Sequence, residues 1–286
     1  MKAMILAAGL GTRLRPLTDN RPKALVEISG RTLLEITLSR LRAFGVREVI
    51  INVHHFADMI AGYLKAKNNF GMRIEISRED VLLDTGGGLK KAAWFFLEDA
   101  SSLDEPFILH NVDVISTIDL PRMLQFHKEH HALATLAVQA RETSRYLLFD
   151  DHLQLCGRRS SGTATSAPSR GFGAMNPGCA PDYTPRQEQA PPPPASSASS
   201  SISPLAARHS PLPQPLAFSG IHIISPRLLP MITEEGIFSI INTYLRLASQ
   251  GEKILAFRAD EYYWRDLGRP ADLAQAALDL QQNVFL

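Results

Sequence analysis

Residues Met1–Leu25 read MKAMILAAGLGTRLRPLTDNRPKAL. The short apolar run Ala3 to Leu6 predicts a buried parallel strand. It leads straight into a glycine-rich turn, Ala8-Gly9-Leu10-Gly11-Thr12, and then into fixed positive charge: Arg13, Arg15 and, after Pro16 and Pro22, Lys23. Backbone bare of side chains lets N–H groups approach phosphate oxygens, and the cations neutralise them. A dinucleotide fingerprint would need a third glycine where Leu14 stands. A P-loop would need Gly-Lys followed by Ser or Thr, which this turn lacks. Gly9 and Gly11 alone would suit any tight connection. The offsets to Arg13, Arg15, Pro22 and Lys23 make the stretch specific for a polyanion.

Outward from that turn, strands and helices alternate. Strands are expected over 2–7, 47–53, 72–77, 107–110, 133–138, 217–224, 253–258 and 262–264. Helices are expected over 32–44, 56–67, from near Gly87 through Phe96, 119–130, 236–249 and 270–282. In 236–249 the apolar residues Ile237, Ile240, Ile241, Tyr244, Leu245 and Ala248 share one side. Gly45 is a natural stop for the first helix, and Pro270 suits the first turn of the last. The rhythm predicts an α/β fold: a doubly wound, mainly parallel sheet with helices on both faces. Ligands of such sheets sit beyond the carboxyl ends of the strands. Gly9 and Asp113 both fall there.

The pattern stops at Gly157. Residues 157–215 are rich in Ser, Pro, Gly, Ala and Arg, with runs at Pro191–Pro194 and Ser196–Ser201. Such a segment cannot bury enough apolar area to offset its ordering entropy, so a disordered low-complexity insertion is expected. Three parts follow: 1–156, the insertion 157–215, and 216–286 as the rest of the same domain. Residues 216–286 contain no hexapeptide repeat.

The 286 residues carry 30 Lys and Arg against 29 Asp and Glu, a net charge of +1. That balance gives no electrostatic footprint for nucleic acid or an anionic membrane. The apolar start is too short for a secretion signal, and no window reaches the length of a membrane span. Cys156 and Cys179 make no disulfide framework. A cytoplasmic protein with reduced thiols is expected. The pair His54-His55 lacks the i,i+4 spacing of helical metal ligands and reads as a polar turn.

Gly9, Gly11, Thr12, Arg13, Leu14, Pro16, Leu17, Thr18, Pro22, Lys23 and Leu25 together resemble the signature of sugar-phosphate nucleotidylyltransferases, the nucleotide-sugar pyrophosphorylases. The likeness continues through Leu83-Asp84-Thr85-Gly86-Gly87-Gly88, Asn111-Val112-Asp113, Phe218-Ser219-Gly220-Ile221 and Trp264-Arg265-Asp266-Leu267-Gly268. The resemblance implies a Rossmann-like nucleotidyltransferase fold. It implies a transferase that joins a nucleoside triphosphate to a sugar 1-phosphate and releases pyrophosphate, in the supply of cell-wall or polysaccharide precursors. It further implies Mg²⁺ held by Asp113 and Asp266, and Arg13 and Lys23 acting on the phosphates. Ala8, Gly9, Gly11, Thr12, Gly87 and Gly88 would contact the nucleotide, and Glu79, Asn111, Ser219 and Gly220 the sugar phosphate. The relatives nearest in look act on N-acetylmuramate 1-phosphate with UTP or on mannose 1-phosphate with GTP. Relatives often carry glycine where Val112 stands. Two other readings stay open from the sequence: a cytidylyltransferase for a non-sugar phosphate such as phosphocholine, and an inactive regulatory homologue.

Overall fold

The computed structural model describes residues 1–98, 105–160 and 212–282. Most of the predicted insertion, with Cys179, lies outside the described residues. Parts of the described ends are regular: 157–160 complete one strand and 214–215 begin another.

The first half of the chain lays down the parallel part of the sheet. It begins with β1 (Lys2–Leu6), a small hairpin β2 (Glu27–Ile28) and β3 (Arg31–Thr32), and α1 (Leu33–Ala43). Then come β4 (Glu48–Val53), α2 (Ala57–Ala66), β5 (Arg73–Arg78), α3 (Asp84–Leu97) and β6 (Phe107–Asn111). β1 lies between β4 and β6, and β5 adds outside β4, all parallel. Both faces of β1 are covered, which explains its unbroken apolar run. Ala3 and Ile5 pack into one core with Leu38, Leu41 and Val49. Met4 packs into the other with Phe95, Leu109 and Ile50.

Helix α1 shows how the local code works. Leu33, Leu34, Thr37, Leu38 and Leu41 are its buried stripe. Thr32 caps the start by accepting from the Glu35 amide at 3.0 Å. Gly45, at φ +99°, follows its end.

The chain continues through β7 (Val114–Ser116), α4 (Leu120–Glu129), β8 (Ala134–Gln139), β9 (Arg145–Phe149) and β10 (Leu155–Ser160). After the undescribed stretch come β11 (Gln214–Ile224), α5 (Ile240–Ser249), β12 (Ile254–Arg258), β13 (Trp264–Asp266) and α6 (Pro270–Gln281). Among the described residues the main sheet runs β10-β9-β11-β6-β1-β4-β5, with β8 pairing β11 and β12. The doubly wound α/β arrangement is present, and antiparallel pairs enter it through β11, which opposes β6, β8 and β9. No helix among the described residues is long and apolar enough to cross a membrane.

Four details differ from the sequence reading. α3 starts at Asp84, not near Gly87, so the glycine triad forms its first turns rather than a turn before it. α5 starts at Ile240, and Ile237, expected on a buried helical face, is 64% exposed. Both shifts share one cause. Residues 236–240 pack against the triad, where the Gly86 and Gly87 amides donate to Phe238 O at 2.9 and 3.3 Å. The strand expected at 262–264 is Trp264–Asp266. β2, β3, β7, β9 and β10 were not expected at all; β2, β3 and β7 are too short to show periodicity, and β10 has a largely exposed, Arg-rich face.

Candidate active site

The carboxyl ends of β1, β4 and β6 open onto a cleft of about 370 Å³. Ala8, Gly9, Asn52, Thr85, Asn111 and Asp113 are among its walls. At Gly9 the space is empty: a Cβ there would meet nothing within 4 Å. Gly11 is different. It sits at φ +66°, and a Cβ would press to 3.0 Å from Thr18 Cγ2 and 3.2 Å from Lys23 Cβ. Thr18 Oγ1 donates to Gly11 O at 2.9 Å, folding the loop back on itself. Glycine is required there by both conformation and space. Thr12 and Arg13 follow in a single 3₁₀ turn, Thr12–Leu14.

Lys23 opens a second 3₁₀ turn behind Pro22 and is nearly buried. Its ammonium donates to Asp113 Oδ2. Asp113 in turn lies beside Asp266, although 153 positions separate them in the chain. The link is the small antiparallel ladder of β7 with β13, in which Val114 opposes Asp266. The Leu267 amide donates to Asp113 O at 2.8 Å and extends that ladder. A buried Oδ1 of Asp266 has no hydrogen-bond partner among the described residues. Burial raises the Asp266 pKa, and Asp113 raises it further, while Lys23 and Arg13 work the other way. Arg13 belongs to the same cluster. A Cβ on Gly268 would come within 2.6 Å of Arg13 Nη2 and 2.8 Å of Asp266 Oδ1. Gly268 is bare so that this arginine and this carboxylate can meet beside it.

The remaining residues named from the sequence divide. Asn111 lines the cleft, and Gly220 backs it: at φ +75° a Cβ on Gly220 would stand 2.9 Å from Asn111 Nδ2. Ser219 is wholly buried, with an Oγ unpartnered among the described residues and a carbonyl that accepts from Trp264 Nε1 at 2.7 Å. Gly87 and Gly88 are buried in α3. A Cβ on Gly87 would reach Gly236 O at 2.6 Å; one on Gly88 would reach Asn52 Nδ2 and Glu79 Oε1 at 2.8 Å. Glu79 is 4% exposed, and both of its oxygens are occupied, by Asn52 Nδ2 at 2.8 Å and the Leu83 amide at 2.9 Å. His54 Nδ1 lies 2.7 Å from Glu79 O, in the same region. Among the described residues, no group of three or more His, Cys, Asp or Glu is placed to hold a metal by itself.

Asn52 was missed. Its Oδ1 accepts from the Ala7 amide at 2.8 Å while its amide reaches Glu79, so it ties the turn after β1 to the start of α3. The signal was a lone polar residue near the end of the apolar strand EVIINV.

Residues 2–148 match the nucleotidyl transferase family. Over 116 residues, 40% of this chain and 46% of the relative, the chain is 47% identical to N-acetylmuramate alpha-1-phosphate uridylyltransferase of Caulobacter vibrioides. Over 148 residues, 51% of this chain and 40% of the relative, it is 38% identical to mannose-1-phosphate guanyltransferase of Aspergillus fumigatus. The chain thus spans less than half the length of either relative. In fold it resembles HddC from Yersinia pseudotuberculosis complexed with GMP-PN, at TM-score 0.65 and 20% identity, covering 98% of this chain and 99% of that one. With the family match running from the first strand through the cradle, Asp113 and β9, the chain belongs to the nucleotidyl transferase family.

Proposed function

We propose that the protein is a sugar-1-phosphate nucleotidylyltransferase, making a nucleotide sugar and pyrophosphate from a nucleoside triphosphate and a sugar 1-phosphate. The convergence of Arg13, Lys23, Asp113 and Asp266 carries this reading. Retaining both cations and both acids in one cluster speaks against an inactive homologue. The two relatives above favour a sugar phosphate over phosphocholine as acceptor.

Asp113 and Asp266 fit a divalent ion: both offer hard oxygen donors, and Asp266 keeps a buried oxygen unpartnered among the described residues. Mg²⁺ characteristically takes one or two carboxylates and completes its shell with water and substrate phosphates, so a third protein carboxylate is not needed. When bound, the ion would neutralise charge on the triphosphate and orient it. The chain's own residues do the rest. The Gly9 region gives backbone room for the polyphosphate, and Gly11 turns the loop so that Arg13 and Lys23 face it. Lys23 trades Asp113 for a phosphate oxygen. The acceptor phosphate oxygen forms a bond to the α-phosphorus in line while the bond to pyrophosphate breaks. That oxygen is already anionic, so no general base is needed. Rate comes from positioning and charge neutralisation.

Residues 1–156 would serve the nucleotide, and 216–286 the sugar and metal side, in the cytoplasm where nucleoside triphosphates are made. UTP with N-acetylmuramate 1-phosphate is the first pairing to expect, because the 47% identity is to a uridylyltransferase; GTP with mannose 1-phosphate is the second. Pyrophosphate release from four triphosphates against several sugar 1-phosphates, with and without Mg²⁺, tests the reading. Release with no pair in the matrix would overturn it.

A further inference from the structure

Arg13 and Lys23 stand among the two acids, on the nucleotide side of the cluster. A second anionic substrate needs a cation of its own. On the β11–β13 side there is one, and the sequence reading did not single it out. Arg141 follows the end of β8, and its guanidinium lies flat on Trp264, 3.7 Å from the ring centre. Its Nη2 donates to Phe218 O at 2.7 Å. Its Nε–H is buried and has no hydrogen-bond partner among the described residues. None of the ion pairs among the described residues involves it; burial lowers its pKa, and the acid felt most strongly is Asp266.

Its supports lead to the cleft. Trp264 begins the strand that ends at Asp266 and fixes Ser219 O. Phe218 precedes Ser219 and Gly220, and Gly220 abuts Asn111 on the cleft wall. The strand β11 breaks register with β8 between Phe218 and His222, at this point. A guanidinium clamped on an indole face keeps its planar fork of donors in place, at little further entropy cost when an oxyanion arrives. A buried cation with an unmet donor gains most from an anion that supplies the missing partner.

We propose that Arg141 binds the phosphate monoester of the acceptor, holding it on the Trp264 side while Arg13 and Lys23 hold the triphosphate. This rests on the acceptor being a sugar 1-phosphate, as argued above. The test uses the full chain with Trp94→Phe, which leaves Trp264 as the only indole of the two in the sequence. Inorganic phosphate and mannose 1-phosphate are titrated against Trp264 fluorescence, with a non-hydrolysable triphosphate filling the cradle. Steady-state constants are measured for each substrate. Arg141→Met should raise the acceptor KM roughly 10- to 100-fold, the value of one charge-assisted contact, with the triphosphate KM within about twofold of the parent. Arg141→Lys keeps the charge, serves if the Met variant folds poorly, and should recover part of the loss. An unchanged acceptor KM in an active enzyme would overturn the proposal. So would a loss confined to triphosphate or Mg²⁺ affinity, which would make Arg141 a support for Asp266 alone. If no acceptor turns over in the parent, yet phosphate quenches Trp264 only when Arg141 is present, the anion site stands and the transferase reading falls.

Discussion

Lys23 is an ammonium that folding has already partnered. It is 7% exposed and paired with Asp113. Its removal therefore has two effects that separate by measurement. Lys23→Met should lower kcat by about 10²–10³, the usual cost of one preorganised charge contact. It should also lower the melting temperature, because Asp113 and Asp266 then face each other without that cation. Asp113→Asn should lose a similar ~10²–10³ in rate. If the folded Asp113→Asn protein turned over at the parent rate, the metal assignment would be wrong. Gly11→Ala tests the cradle. It combines a left-handed backbone with contacts of 3.0 and 3.2 Å to Thr18 and Lys23. A cost of ~1–3 kcal/mol in urea unfolding and weaker triphosphate binding are expected.

At the scale of elements, α3 contradicts its own composition. Three glycines at its start should weaken a helix, each by ~1 kcal/mol relative to alanine. The neighbours explain them. A Cβ on Gly86 would overlap the Phe238 ring and come within 2.9 Å of Ile240 N. Overpacking of that kind typically costs ~1–3 kcal/mol, which outweighs the propensity gain. Gly86→Ala should therefore destabilise the protein in denaturant melts despite being the better helix former. A more stable variant would show that the 236–240 segment yields easily. The same packing explains why the helix was read as starting late. Glycines look like a turn when only chain neighbours are considered, and the partners that require Gly86 and Gly87 lie about 150 positions away, at Gly236 to Ile240, while Gly88 is held by Asn52 and Glu79. The β7–β13 ladder raises the same difficulty. Its two strands have three residues each, too few for a period-2 pattern, yet they set the two aspartates side by side.

Over the whole molecule, three buried histidines set an acid limit. Burial lowers His110 and His222 to about 3 and His127 to about 4. Unfolding returns each to its ordinary 6.5. Below that value the unfolded chain binds protons that the folded one refuses, so stability is full above about pH 6.5 and drains as pH falls toward 3–4. Each histidine can contribute a slope of up to ~1.4 kcal/mol per pH unit inside that window. Urea melts at pH 7.5, 6 and 5 should show a progressive loss that His222→Gln and His127→Gln each lessen. A flat profile from pH 7.5 to 5 would contradict this.

The sequence by itself determined the parallel strands and their helices, because covered strands need unbroken apolar runs and α1 needs its stripe, cap and stop, all written locally. It also determined the glycine turn and the cations of the proposed phosphate cradle, since glycine freedom and fixed charge act over a few residues. Only the tertiary structure decided which ladder sets Asp266 beside Asp113, which neighbours make Gly86 to Gly88 and Gly268 necessary, that Asn52 braces the turn after β1, and that Arg141 lies on Trp264. Those are relations across a sheet edge. They depend on strand order and register, which no local pattern records.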